Sequence, residues 1–218
     1  MTISAVLLAA GTASRFGADK RLALLPGGQC VLAATVSRYR AAGLPCTVVV
    51  DDCDQALRPL LDELGADIVT LVGARSGRAG AGMGDSLAAG VAMVAARGEA
   101  GCLIGLADMP WVRVDTLVVL ADRLRQQAGG PSIVAPLLCA ASARQQGGND
   151  GAGSAGRRGH PVGFSASFFA ELCALRGDGG ARDIVRRHAD RLIECPVNDP
   201  GVLRDIDTPG DVSAPGCC

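Results

Sequence analysis

The sequence predicts a single α/β domain in which helices cover both faces of a mostly parallel sheet, a three-layer α/β/α sandwich. Short apolar runs alternate with segments of helical periodicity along most of the chain, and this order is typical of βαβ units. The length of 218 residues suits one domain that buries roughly 70% of its unfolded surface. We expect the domain to span residues 1–212.

Each predicted strand is a short run of apolar or β-branched residues, and several of these runs end at Gly or Asp. Helices are predicted where apolar residues recur three or four positions apart. A Gly-rich loop at 73–84 precedes the third helix. Up to residue 136 the sequence predicts strands at 3–9, 47–50, 67–72, 101–107 and 132–136, and helices at 31–40, 57–64, 86–97 and 116–127.

The last third of the chain opens with a low-complexity segment. Residues 140–156 are rich in Gly and cannot bury enough apolar surface to become ordered on their own, so we expect a flexible insertion there. We expect residues 213–218 to form a disordered tail. Between these segments the sequence predicts strands at 162–164 and 192–195, helices at 167–175 and 181–188, and an extended stretch at 203–207.

Composition and charge exclude several classes of partner. The net charge of −1, the pI near 6.1 and the 3% aromatic content argue against a nucleic-acid binder, which needs basic excess or stacking platforms. The longest small-apolar stretch, 87–96, falls far short of the roughly 20 residues that span a bilayer. No basic segment precedes the apolar run at 3–10, so we expect a cytoplasmic protein without membrane or nucleic-acid partners.

Acidic residues follow two of the predicted strands. Asp51 and Asp52 come after the second strand, and Asp108 follows the strand at 101–107. In open α/β sheets the ligand crevice lies beyond the carboxyl ends of the strands, so these acids and the loop after the first strand should project into it. Neighbouring carboxylates point in different directions, and we therefore interpret Asp51 and Asp52 as turn formers.

The loop after the first strand has the features of a polyphosphate site. Its small residues allow a ligand to approach the backbone closely, and its N–H groups can bind an anion. Arg15 and Lys20 add two cations, and Lys20 is the only lysine among 21 basic residues. Phe16 stands where a P-loop has its second Gly, so this is not a P-loop. An ordinary βα turn with incidental surface charges is the alternative.

Six short segments with distinctive sequences are spread in order over nearly the whole chain. The segments are Leu-Ala-Ala-Gly…Arg-Phe-Gly…Lys at 8–20, Gly-Met-Gly-Asp-Ser-Leu-Ala-Ala-Gly at 82–90, Leu-Ala-Asp-Met-Pro at 106–110, Arg-Gly-His-Pro at 158–161, Gly-Asp-Gly-Gly-Ala-Arg at 177–182 and Asp-Ile-Asp-Thr-Pro-Gly-Asp at 205–211. Together they resemble the motifs of the MobA-like nucleotidyltransferases, most closely the molybdenum cofactor cytidylyltransferases. Ala107 stands where the family usually has Gly. This resemblance implies a Rossmann-like fold of the nucleotidyltransferase type.

The resemblance implies a Mg²⁺-dependent transfer of CMP from CTP to the molybdenum cofactor, bound as molybdopterin, with release of pyrophosphate. The attacking phosphate is already an anion, so catalysis consists of positioning and charge stabilisation. We expect Arg15 and Lys20 to be catalytic, because they would hold the phosphates. Besides Asp108, the expected nucleotide-binding residues are Leu8, Ala9, Ala10, Gly11, Gly82 and Ser86.

Asp108 and Asp207 are the expected metal ligands. Asp108 ends a buried strand before Pro110, although a helix cap is the alternative. Asp207 matches the position of a second metal-binding carboxylate in related nucleotidyltransferases. We expect Asp205 to face the opposite side of the extended segment and to miss the ion.

Three further side chains carry a functional and a structural interpretation. Ser86 is predicted to open a helix, where its hydroxyl would contact the nucleotide or cap the helix. The resemblance assigns His160 and Arg182 to the acceptor side. A structural histidine bonded to a loop carbonyl, or a solvated arginine, would explain them equally well.

Other functions remain open. The Ala9-Ala10-Gly11 run favours a cytidylyltransferase over a guanylyltransferase of the same family, which typically has Ala-Gly-Gly and would use GTP. A sugar- or polyol-phosphate nucleotidyltransferase is disfavoured by the segments at 158–161 and 177–182. A non-catalytic cofactor carrier would need neither Lys20 nor Asp108. A recipient molybdoenzyme or its chaperone is a candidate partner.

Overall fold

A computed structural model describes residues 1–11, 16–72, 82–127, 129–139 and 156–213. Within these residues eight strands form one sheet. The expected site residue Arg15, most of the Gly-rich loop (73–81), the insertion at 140–155 and the tail at 214–218 lie outside the described residues. The strands are β1 (Ile3–Leu8), β2 (Cys46–Asp51), β3 (Asp67–Leu71), β4 (Gly101–Leu106), β5 (Ile133–Leu138), β6 (Arg157–Arg158), β7 (Val162–Ser165) and β8 (Leu192–Val197).

The sheet is mostly parallel, as predicted. Its order is β3-β2-β1-β4-β7-β5-β6, and β8 pairs with β5. The first four strands in this order are parallel to one another, and β8 is parallel to β5. Strand β7 runs antiparallel to both β4 and β5, and β6 is antiparallel to β5. Leu8 lies opposite Leu106, so β1 and β4 end side by side.

Helices cover both faces of the sheet, which confirms the three-layer α/β/α architecture. Side chains of successive strand residues point to opposite faces. In β1, Leu7 belongs to an apolar cluster with residues of α1 and α4, whereas Val6 belongs to a second cluster with α3, α5 and α6. The described helices are α1 (Val31–Ala41), α2 (Arg58–Glu63), α3 (Met83–Ala96), α4 (Val114–Gln126), α5 (Phe169–Cys173), α6 (Arg182–Arg187) and α7 (Pro209–Ser213).

Two helix predictions differ from the structure. The helix expected at 86–97 begins at Met83, because Gly82 serves as its N-cap and the Asp85 carboxylate accepts a hydrogen bond from the N–H of Gly82. The helix expected at 167–175 is a 3₁₀ turn at Ala166–Phe168 followed by the short α5. In the described part of the chain, no helix has both the length and the apolar character needed to cross a membrane.

Candidate active site

A cavity of about 440 Å³ opens at the carboxyl ends of β1 and β4, within the size range of small-molecule sites. Residues from the end of β1, the 3₁₀ turn at Lys20–Leu22, the start of α3 and the end of β4 surround it. All the expected nucleotide-binding residues line this cavity, together with Lys20. The lining comprises Leu8, Ala9, Ala10, Gly11, Lys20, Arg21, Gly82, Met83, Ser86, Leu106, Ala107, Asp108 and Asp178.

The small residues after β1 are held against the sheet. Ala9 and Ala10 are buried, and the N–H of Ala9 donates to the carbonyl oxygen of Val49 (2.9 Å). Gly11 is exposed at the cavity. Apart from its chain neighbours, no described residue has an atom within 4 Å of where its Cβ would be. The described part of the chain therefore leaves the backbone at Gly11 accessible to a ligand.

Lys20 joins the two carboxylates that the sequence assigns to a metal. Its Nζ lies 2.6 Å from Oδ2 of Asp108 and 3.2 Å from Oδ1 of Asp207, and it donates to the carbonyl oxygen of Ile206 (2.8 Å). Burial lowers the pKa of the Lys20 ammonium, but the hydrogen bonds and charges of Asp108 and Asp207 raise it above its usual value overall. Lys20 is therefore a cation whenever these carboxylates are ionised.

A third carboxylate, that of Asp205, joins Asp108 and Asp207, and the expectation that it faces away is wrong. Each of these residues offers one carboxylate oxygen, and the three oxygens lie within 4.8 Å of one another. Residues two positions apart in an extended segment point to the same side. Ile206 between them is fully buried, and its N–H donates to the carbonyl oxygen of Asp108 (3.0 Å), which turns both acids toward Asp108.

Asp108 has one oxygen available for a ligand. Its Oδ2 binds Lys20, whereas its Oδ1 is buried and lacks a hydrogen-bond partner among the described residues. A buried carboxylate oxygen without a partner is costly. A hard cation at this point would satisfy it, because Mg²⁺ and similar ions prefer carboxylate oxygens.

The start of α3 is joined to the loop at 177–179. Oδ2 of Asp85 accepts hydrogen bonds from the N–H groups of Gly82 (3.0 Å) and Gly177 (2.8 Å). A Cβ at Gly82 would lie 2.2 Å from the backbone of Gly177, so this close approach requires glycine. The contact brings the loop residue Asp178 to the cavity wall.

Ser86 lies inside α3 and does not open it, which corrects the sequence-based prediction. Its hydroxyl donates to the carbonyl oxygen of Gly82 (3.2 Å), four residues earlier. Asp85 and Asp178 were not among the predicted site residues. An acid three residues after a possible N-cap can accept a hydrogen bond from the N-cap N–H, so Asp85 was recognisable. No local signal of this kind marks Asp178, which lies 70 positions after Asp108 in the chain.

His160 and Arg182 occupy different surroundings. Nδ1 of His160 is buried and has no hydrogen-bond partner in the described part of the chain. Burial lowers the pKa of His160, although the charges of Asp108 and Asp205 and a hydrogen bond to the backbone of Ile104 oppose this shift. His160 therefore lies within electrostatic range of the acidic group. Arg182 is the exposed first residue of α6 and is not among the residues that line the cavity.

Comparison with known proteins gives a consistent set of similarities. A family model described as the MobA-like NTP transferase domain matches residues 5–192. The chain resembles the crystal structure of Rv0371c from Mycobacterium tuberculosis H37Rv, with 28% identity, a TM-score of 0.74, and coverage of 97% of this chain and 96% of that chain. The structure of Rv0371c in complex with manganese has the same identity and coverage and a TM-score of 0.70.

A more distant similarity extends to the molybdopterin-guanine dinucleotide biosynthesis protein A from Archaeoglobus fulgidus. The identity is 18% and the TM-score 0.60, with coverage of 96% of this chain and 95% of that chain. At this identity the match shows a shared fold. Comparison with curated proteins found no match.

Proposed function

This chain belongs to the MobA-like NTP transferase family, and we propose that it transfers CMP from CTP to the phosphate of the molybdenum cofactor, which is molybdopterin with bound molybdenum. The observation that carries the proposal is the contact between Lys20 and Asp108 (2.6 Å) at a cavity lined by small residues. A cation and an acid at the ends of adjacent strands suit the handling of a triphosphate with its metal ion.

The proposed reaction is an in-line displacement at phosphorus. An oxygen of the acceptor phosphate attacks the α-phosphorus of CTP, and a new O–P bond forms. The bond from the α-phosphorus to the oxygen that bridges to the β-phosphate breaks, and pyrophosphate leaves with the electron pair. The nucleophile is already anionic, so no general base is required, and the main obstacle is repulsion between anions.

The acidic group fits a divalent cation. Asp108, Asp205 and Asp207 offer oxygens within 4.8 Å of one another, and one buried oxygen of Asp108 lacks a hydrogen-bond partner among the described residues. Without a metal ion, the three carboxylates carry more negative charge than the single Lys20 ammonium neutralises, and this group would repel a triphosphate. Asp108 and Asp207, joined by Asp205, would hold Mg²⁺, which when bound offsets phosphate charge.

Lys20 is the proposed cation for the leaving phosphates. It lines the cavity, and its ammonium contacts Asp108 and Asp207. Lys20 therefore lies between the proposed nucleotide site and the proposed metal site. An ammonium held there would stabilise the charge that builds up on the departing pyrophosphate. Arg15 is proposed as a second cation, as its position in the first motif suggests.

Ala10 supports CTP as the nucleotide. It is buried and lines the cavity, at the position where the guanylyl branch of the family typically has Gly. From this difference in size we infer that the site takes the smaller pyrimidine base.

The acceptor is proposed to enter beside His160. This histidine lies within electrostatic range of Asp108 and Asp205, and its buried Nδ1, which has no partner in the described residues, can bond a pterin or its phosphate. Arg182 is proposed as a further contact to the acceptor. A recipient molybdoenzyme, or its chaperone, would then take up the product.

Thermal denaturation with CTP, GTP, ATP and UTP, each with and without Mg²⁺, tests the nucleotide assignment. A ligand at 100 times its Kd adds about 2.7 kcal/mol to the free energy of unfolding. We expect a Mg²⁺-dependent rise in Tm with CTP alone. A rise with GTP alone would move the function to the guanylyl branch, and no rise with any nucleotide would favour a cofactor carrier.

A further inference from the structure

The side chain of Arg21 is buried at the cavity wall, next to Lys20. Arg21 is only 3% exposed, although it is charged and lies beside a site for an anionic ligand. Its position invites the interpretation that it binds phosphate directly. The hydrogen bonds of its guanidinium exclude that interpretation.

All five N–H groups of the Arg21 guanidinium are donated within the protein. Nε and Nη2 donate to the two oxygens of Asp19 (2.7 and 2.6 Å). Nη1 and Nη2 donate to the two oxygens of Asp54 (2.5 and 2.7 Å). The remaining N–H of Nη1 donates to the carbonyl oxygen of Ala9 (2.6 Å). An arginine has five such donors, so none is left for a phosphate.

These bonds connect three parts of the fold. Ala9 follows β1, Asp19 is the N-cap of the 3₁₀ turn at Lys20–Leu22, and Asp54 belongs to the loop after β2. Asp54 is itself buried, and it also accepts a hydrogen bond from the N–H of Asp51 (3.0 Å). The guanidinium therefore ties the 3₁₀ turn to the ends of two neighbouring strands.

Lys20 lies between the two anchored residues. Its backbone is flanked by Asp19 and Arg21, and the N–H of Arg21 also donates to Oδ1 of Asp19 (3.1 Å). A lysine side chain has a long, flexible stem, and fixing the backbone at its base limits the positions that its ammonium can reach. The ammonium contacts Asp108 and the carbonyl oxygen of Ile206 from this base.

We propose that Arg21 is a positioning residue: it holds the turn that carries Lys20, so that the Lys20 ammonium is directed at Asp108 and at the phosphates, and it does not touch the substrate itself. This inference rests on the proposed role of Lys20 in holding phosphate. It adds a residue that the motif comparison does not assign, together with two structural partners, Asp19 and Asp54.

Binding of inorganic pyrophosphate with Mg²⁺, measured by calorimetry, tests the proposal without dependence on the base or the acceptor. Arg21→Lys keeps the charge and removes the five-donor fork. We expect Arg21→Lys to weaken pyrophosphate binding about tenfold, which is the lower end of the effect of replacing a residue that orients a binding group. In a Lys20→Met background the same change should weaken binding by less than about twofold, because coupled residues are not additive.

Equal losses in the two backgrounds would overturn the proposal, because Arg21 would then act independently of Lys20. A lower Tm with unchanged affinity for pyrophosphate would overturn it too, since Arg21 would then serve stability alone. Should Arg21→Lys fail to fold, Asp54→Asn removes one anchor and carries the same two expectations. Arg97→Lys is the matched control: Arg97 pairs with Asp67 (2.7 Å) on the surface, and its replacement should leave the affinity unchanged.

The same experiment separates this proposal from the proposed function. A wild-type protein that binds neither pyrophosphate nor any nucleoside triphosphate would reject both. Binding of pyrophosphate with a preference for GTP would change only the proposed nucleotide. Normal binding by the wild type with additive losses in the variants would reject the role of Arg21 alone.

Discussion

The ammonium nitrogen of Lys20 lies 2.6 Å from Oδ2 of Asp108, so the residue proposed to hold phosphate is paired with the residue proposed to hold the metal. A cation bound by the acidic group and the Lys20 ammonium share the same carboxylates. Metal and nucleotide binding should therefore be coupled. A bound metal ion would weaken the ion pairs between the carboxylates and Lys20, and the ammonium could then bind phosphate.

Replacing Asp108 should abolish turnover and leave the fold intact. Asp108→Asn removes the charge of the metal ligand, and a metal ion contributes several kcal/mol of charge stabilisation to such reactions, so we expect at least about a hundredfold fall in kcat. Lys20 retains Asp207 and the carbonyl oxygen of Ile206 as partners. Pyrophosphate release and the Tm of both proteins are the measurements, and unchanged turnover would reject the metal-ligand assignment.

Replacing Lys20 should strengthen metal binding when no nucleotide is present. Lys20→Met removes the ammonium that competes for Asp108 and Asp207, and we expect the Kd for Mn²⁺ to fall several-fold. Trp111, the single tryptophan of the sequence, lies three residues after Asp108, and its ring packs under Arg204, the neighbour of Asp205. Quenching of its fluorescence by Mn²⁺ measures the affinity.

The matched control for this variant is Arg97→Met, which also removes a cation paired with an aspartate, but on the surface. Its affinity for Mn²⁺ should equal that of the wild type. Weaker Mn²⁺ binding by Lys20→Met would mean that the lysine supports the ion site and does not compete for it.

The stability of the protein should fall as the pH drops below about 6.5, in part through His160. Burial lowers the pKa of His160 in the folded state, so the unfolded chain binds a proton first as the pH falls. The unfolded state then holds more protons, and the free energy of unfolding decreases from the usual pKa of about 6.5 down to the lowered one. Urea denaturation between pH 8 and 5 should show a smaller decrease for His160→Gln. If the free energy of unfolding fell equally with pH in the wild type and in His160→Gln, His160 would not be a source of the pH dependence.

A methyl group at Gly82 should disturb the cavity wall. The Cβ of Gly82→Ala would lie 2.2 Å from the backbone of Gly177, and such overpacking typically costs about 1–3 kcal/mol. The loop that carries Asp178 must move, so nucleotide affinity should fall together with the Tm. Gly27→Ala is the control, because apart from its chain neighbours no described residue lies within 4 Å of the Cβ that it would add, and it should match the wild type in both measurements.

Much of the fold was predictable because periodicity reveals each buried strand and helix. The direction of β7 was not. Its four residues, Val162–Ser165, form an apolar run that fits a parallel or an antiparallel neighbour equally well. Tertiary packing decides that β7 pairs with both β4 and β5, and the local sequence does not indicate this pairing.

The candidate site was predictable where residues stand directly beside strand ends. The small residues at 8–11 and Asp108 follow β1 and β4, and those two strands are neighbours in the sheet. Asp205 was misassigned because the side-chain alternation of an extended segment was misapplied. The buried position of Arg21 could not be predicted from the sequence, because its partner Asp54 lies 33 positions away and a charged residue beside a loop is expected at the surface.

The most direct test is transfer of label from α-phosphate-labelled CTP to the molybdenum cofactor (molybdopterin with bound molybdenum), with Mg²⁺, by the wild type and by Asp108→Asn. We expect labelled cytosine dinucleotide and an equal amount of pyrophosphate from the wild type, with a loss of at least about a hundredfold in the variant. A folded wild-type protein that binds nucleotide but transfers no label from CTP or GTP would contradict the account.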